Sequence, residues 1–97
     1  MKKLEEIKKL LTGYKEELKK EFKVKEIGLF GSFVRGEAKT GSDLDILVEF
    51  KEPIGFFKFL ELEEYLQNIL GVKVDLVSKK ALKPIIGRYI LKEVIYV

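Results

Sequence analysis

Between Asp43 and Phe50 the chain alternates Leu44, Ile46, Val48 and Phe50 with Asp43, Asp45, Leu47 and Glu49. A period of two belongs to a β-strand, whose successive side chains point to opposite faces. One face of this strand must lie against an apolar layer. The other carries two acids one residue apart. Side by side and unneutralised, two carboxylates repel each other. A buried face accepts them only when one is protonated or a cation bridges both. A single segment therefore demands a covered sheet and sets a chemical problem on its other side.

The remaining elements are arranged around that strand. Leu4, Ile7, Leu10, Leu11, Tyr14 and Leu18 recur at three- and four-residue steps and predict one helix from about residue 2 to 21. Gly13 weakens this helix by about 1 kcal/mol relative to Ala without interrupting the pattern. Val24 to Phe30 reads as a strand stopped by Gly31-Ser32, and a polar stretch from Arg35 to Ser42 leads into the acidic strand. Pro53 suits the first turn of a second helix carrying Phe56, Phe59, Leu60, Leu66, Ile69 and Leu70, with Gly71 at its C′ position. Val72 to Val77 is a third strand with Asp75 in its middle, and Ser78 opens a polar turn. Pro84 starts a last helix holding Ile85, Ile86, Tyr89 and Ile90, and Val94 to Val97 leaves room for a short fourth strand.

This order predicts an α/β (α+β) domain: a small mixed sheet of three to four strands covered by helices. A helix joins the second and third strands, a connection that suits parallel pairing. The first and second can pair either way. With 97 residues the chain is expected to form a single domain over residues 1–97.

Composition narrows the chemistry. There is no Cys and no His, which removes disulfides, thiolate nucleophiles, Ser-His triads and His-held zinc. A metal here must be held by oxygen, as magnesium, manganese and calcium are. The net charge is +3, with 17 Lys, two Arg and interleaved Glu rather than a basic tail. Direct nucleic-acid binding is therefore not expected, while a polyanion such as a nucleoside triphosphate is compatible. The Lys/Glu bias fits a thermophile as well as an ordinary surface. No apolar h-region and no run of membrane-spanning length is present, so the expectation is a soluble, cytoplasmic protein without membrane contact.

Asp75 sits mid-strand, where Asp is disfavoured. If its strand neighbours that of Asp43 and Asp45, three carboxylates meet, a donor set suited to one or two magnesium ions that also hold a triphosphate. Gly31 lets the backbone approach a ligand, and the following amides with the Ser32 hydroxyl can donate to phosphate oxygens. Ser42 could do the same or simply cap its turn. Arg35 and Lys39 lie in the same loop and could balance phosphate charge. Each feature alone is commonplace. Gly-Ser, ten residues, then Asp-x-Asp is not: a chain of this length matches it by chance on the order of once in a thousand.

The segment GSFVRGEAKTGSDLDILVEF resembles the signature of the DNA polymerase β-like nucleotidyltransferase superfamily. It is most similar to the minimal nucleotidyltransferases, the antitoxin partners of HEPN-domain toxins. The resemblance extends over KVDLVSKKALKP and the closing helix, and it implies a palm-like nucleotidyltransferase fold. It implies that Gly31 and Ser32 bind the nucleotide phosphates and that Asp43 and Asp45 bind two magnesium ions. By the same resemblance Asp75 completes the metal site and helps activate the acceptor hydroxyl. The implied activity is transfer of AMP from ATP to a tyrosine of the HEPN toxin. Two other readings stay open at this level. One is a catalytically silent antitoxin that neutralises its partner by contact, and the other is adenylylation of a small molecule.

Overall fold

The computed structural model describes residues 2–97. The acidic strand forms as β2 (Leu44–Phe50), and Asp43 stands just ahead of it. It lies between β1 (Val24–Phe30) and β3 (Val74–Ser78) in a four-stranded sheet, with the two-residue strand β4 (Ile95–Tyr96) on the far side of β1. The order is β3-β2-β1-β4. β1 runs antiparallel to β2 and to β4, whereas β2 and β3 are parallel, so the sheet is mixed as predicted.

The two faces of β2 differ as its alternation requires. Leu44, Ile46 and Val48 are fully buried, and their neighbours across β1 include Leu29 and Ile27. Helices α1 (Leu4–Gly13), α2 (Lys15–Phe22) and α4 (Phe56–Leu70) supply Ile7, Leu11, Leu18, Phe22, Leu62, Leu66 and Leu70 to the same core. Each fully buried Leu or Ile stabilises this layer by about 1.5–3 kcal/mol. Among the described residues no polar or charged side chain is buried, so the core carries no desolvation penalty of that kind. The acids face the other way. No helix among these residues is long and apolar enough to cross a membrane.

The predicted first helix is two helices. α1 ends at Gly13, and Tyr14 (φ −105°, ψ 5°) caps it and opens α2. The Tyr14 amide bonds to Leu11 O, and its carbonyl accepts the Leu18 amide. Gly13 has the weakest helix propensity in the segment, so the change of direction comes where it costs least. The bend lets Ile7 with Leu11 and Leu18 with Phe22 meet the core from two axes. The Tyr14 ring packs edge-on against Tyr65.

Other boundaries shift for local reasons. Pro53 lies ahead of α4, which begins at Phe56 after Gly55. Gly71 (φ 68°) ends α4 in the C′ role expected of it. α4 buries Leu62, Leu66 and Leu70, while Phe56 and Leu60, assigned to its apolar stripe from sequence, are exposed. β3 starts at Val74 rather than Val72, and Ser78 still pairs with Val48, so it belongs to the strand and not to a turn. A 3-10 turn (Lys79–Ala81) leads to α5 (Pro84–Glu93), which has Pro84 in its first turn.

Candidate active site

β1 delivers the chain to the acids. Its last residue, Phe30, pairs with Asp45, so the turn that follows begins beside that carboxylate. Gly31 adopts φ 81° and ψ −154°, a combination open essentially to glycine. A Cβ at this position would overlap the Asp45 carboxylate. Glycine is required twice over, for the turn and for the close approach. Ser32 then opens the short helix α3 (Ser32–Arg35), anchored by the buried Phe33. The Val34 and Arg35 amides bond back to Gly31 O at 3.1 Å. The amides that begin α3 have no acceptor within the helix, so the turn presents donors next to the acids.

Asp45 and Asp75 are register partners on the parallel strands β2 and β3. β3 is an edge strand, yet α4 fixes its register. Gln67 Oε1 accepts the Val74 amide and Glu63 Oε2 accepts the Leu76 amide, each at 3.0 Å, on either side of Asp75. Asp45 is half-buried, and Asp43 and Asp75 are exposed. Burial pushes the Asp45 carboxyl up to about 6, and the negative charges of Asp75 and then Asp43 push the same way. Arg35 opposes the rise.

Asp75 and Asp43 thus both bear on Asp45, although among the described residues no three acidic groups already form a metal cage. The donor set fits magnesium even so. This ion takes one or two protein carboxylates and completes its shell with water and substrate phosphates. A half-buried carboxylate whose proton affinity is raised by burial and by neighbouring acids marks a site in deficit of positive charge. Asp43, Asp45 and Asp75 are the residues that would hold such an ion.

The loop residues divide. The Ser42 hydroxyl accepts the Lys39 amide at 2.8 Å, which places Ser42 as a cap of its own turn. Arg35 is held by two carboxylates, Glu37 at 2.9 Å and Glu93 at 2.8 Å, and both raise its proton affinity. Lys39 is exposed on the loop. Glu93 is the residue that sequence reasoning missed. Its carboxylate also accepts the Gly31 amide at 2.7 Å, across 62 residues of chain, and nothing in its local sequence signals that contact. An apolar cleft of about 530 Å³ lined by Phe50, Pro53, Phe56, Phe59 and Ser78 lies at the other end of β3, away from the acids.

Comparison with known proteins agrees with this arrangement. Residues 11–97 match the nucleotidyltransferase domain family. The protein adenylyltransferase MntA of Thermococcus cleftensis is 57% identical over 94 residues, covering 97% of this chain and 95% of that protein. A solved minimal nucleotidyltransferase structure superposes with a TM-score of 0.83 at 33% identity, covering 97% of this chain and 95% of its own. An MntA-containing toxin–antitoxin complex superposes with a TM-score of 0.69 at 25% identity, covering all of this chain and 72% of the matched one. With the Gly31-Ser32 turn set against Asp45 and Asp75, and with this match over nearly all its length, the chain belongs to the nucleotidyltransferase domain family.

Proposed function

We propose that this protein transfers AMP from ATP to a hydroxyl, a tyrosine, of a partner HEPN toxin, and that it acts thereby as the antitoxin in the cytoplasm. The observation that carries the reading is the juxtaposition of Asp45, Asp75 and the Gly31-Ser32 turn on the face of the sheet opposite the main core. The name of the Thermococcus relative supports a protein acceptor, and the toxin–antitoxin match supports a toxin as that acceptor. The HEPN identity follows from the signature resemblance. Exposed Ile85, Ile86 and Tyr89 on α5 give a protein partner apolar surface to meet.

In this reaction the acceptor oxygen attacks the α-phosphorus in line, the α–β bridging bond breaks, and pyrophosphate leaves. Asp43 and Asp45 would hold the divalent ions, and Asp75 would complete the set. When bound there, magnesium, or manganese as a chemically reasonable substitute, would lower the pKa of the attacking hydroxyl and neutralise charge on the leaving group. The Gly31-Ser32 turn orients the phosphates through its amides and the Ser32 hydroxyl. With no His in the chain, Asp75 is the first candidate to take the acceptor proton. Arg35 contributes positive charge beside Asp45, and Ser42 shapes the loop that precedes the acids.

The test is label transfer from α-labelled ATP to the purified partner in magnesium. Label on a partner tyrosine is the expected result. A partner silenced without ATP and without label would make the protein a contact antitoxin. Label appearing only on a small molecule would move the acceptor class.

A further inference from the structure

The Glu93 side chain reaches from the end of α5 into a turn 62 residues earlier in the chain. One carboxylate oxygen accepts the Gly31 amide at 2.7 Å, and the other accepts Arg35 Nη1 at 2.8 Å. These residues are the N-cap and the last residue of α3, so Glu93 grips the helical turn at both ends. Both contacts hold its carboxyl below the usual carboxylate range. The base of Glu93 is itself fixed. The next residue, Val94, places Cγ2 2.5 Å from where a Cβ on Gly28 would stand, and Ile95 and Tyr96 pair with Leu29 and Gly28.

A four-residue helix does not hold its own shape, since isolated helices shorter than about 12 residues are marginal in water. Its orientation depends on what pins its ends. A carboxylate also repels a triphosphate, so Glu93 is ill suited to bind phosphate directly. We propose that Glu93 is a positioning residue for the nucleotide: it clamps the Gly31-Ser32 turn so that the free donors of that turn meet the triphosphate. The proposal rests on the phosphate-binding role given to this turn above. Without Glu93 the Gly31 amide loses its acceptor and Arg35 keeps only Glu37, so the two ends of the turn are no longer tied to each other and the donors lose their common orientation.

The test is calorimetric titration of ATP in magnesium, without acceptor, into the wild-type chain and the variants Glu93→Ala, Glu93→Gln and Ile7→Val. Glu93→Ala is expected to weaken binding about tenfold, as loss of a charge-assisted hydrogen bond does. Glu93→Gln keeps one acceptor oxygen and falls between it and the wild type. Ile7→Val removes a buried methyl group from α1 and touches neither the turn nor α5, so it lowers Tm but leaves Kd within about twofold. The Gly31 amide proton resonance should move upfield in Glu93→Ala and stay in place in Ile7→Val. Wild-type affinity in Glu93→Ala, or an equal loss in Ile7→Val, overturns the positioning role and leaves the nucleotide site standing. A wild-type chain that binds no ATP overturns the nucleotide reading itself.

Discussion

Asp45 and Asp75 stand opposite each other on parallel strands, with Gly31 so close to Asp45 that no other residue fits there. A sheet built only for stability would not put two acids in register. Function is the simpler reason for such a pair, because Asp45, half-buried and beside the charge of Asp75, gains most from a bound cation.

The first prediction is that Asp45→Asn stabilises the fold at neutral pH while abolishing transfer. The folded-state pKa of Asp45 is raised from 3.8 to about 6. The folded state therefore holds this proton more tightly than the unfolded chain does. The resulting stability is fully present below about pH 4 and is lost as pH rises through about 6. At pH 7 the wild type carries the cost of an ionised Asp45, which is partial burial first and repulsion by Asp75 and Asp43 second, and the Asn variant does not. After discounting for solvent screening the gain is about 1 kcal/mol, or a Tm higher by roughly 4–8 °C. Thermal melts across pH 4 to 8 check it. A gain as large at pH 4 as at pH 8 would remove the electrostatic explanation.

Divalent cations should reverse that cost. Magnesium at a hundred times its dissociation constant would raise wild-type stability by about 2.7 kcal/mol by mass action. The Asp45→Asn chain should respond far less. Excess chelator should stop AMP transfer, and added magnesium or manganese should restore it. Transfer that continues undiminished in chelator would rule out the metal role assigned to the acids.

Gln67 offers a purely structural counterpart. Its side-chain oxygen satisfies the Val74 amide on the outer edge of β3. Gln67→Met fills similar space but leaves that donor without its partner, at a cost of about 1–3 kcal/mol. Chemical denaturation should show the loss as a lower midpoint with an unchanged slope. Because Glu63 still holds Leu76, Asp75 stays in register, and transfer measured well below Tm should be nearly normal. A variant that melts like the wild type would show that the edge amide finds another acceptor.

The chain order of the elements, a mixed sheet and the acidic face were readable in the sequence, whereas the strand order β3-β2-β1-β4 and the antiparallel pairing of β1 with β2 were not, because they depend on long-range packing. Period two placed Asp43 and Asp45 on one side, and a helix between β2 and β3 made parallel pairing the natural outcome. The break at Tyr14 was not readable, because the apolar stripe runs through Gly13 without a change of phase. On α4 the period allows two overlapping apolar stripes. The structure buries Leu62, Leu66 and Leu70, leaving Phe56 and Leu60 exposed, and only the sheet beneath decides between them. Glu93 was invisible for a different reason. Its contacts with Gly31 and Arg35 are made by long-range closure of the chain, and a Glu in the last turn of a helix advertises nothing.

Gly31 gives the sharpest remaining prediction, because fold and chemistry both depend on its missing side chain. Gly31→Ala forces a Cβ into a backbone region essentially reserved for glycine, at a cost of about 1–3 kcal/mol. It also drives that Cβ into the Asp45 carboxylate, which must turn away from its place opposite Asp75. The expected result is a folded protein with Tm lowered by roughly 4–8 °C for each kcal/mol lost. Transfer should fall at least about a hundredfold, as misplacing reacting groups by an ångström does. Gly13→Ala is the control. Open space surrounds Gly13, and its backbone is not in the left-handed region, so Ala should stabilise the end of α1 by about 0.4–1 kcal/mol. Transfer should then be unaffected. Thermal melts and initial rates on both variants separate a local backbone effect from displacement of the acid. If Gly31→Ala loses stability but keeps its rate, the approach of Gly31 to Asp45 is packing alone and plays no part in catalysis.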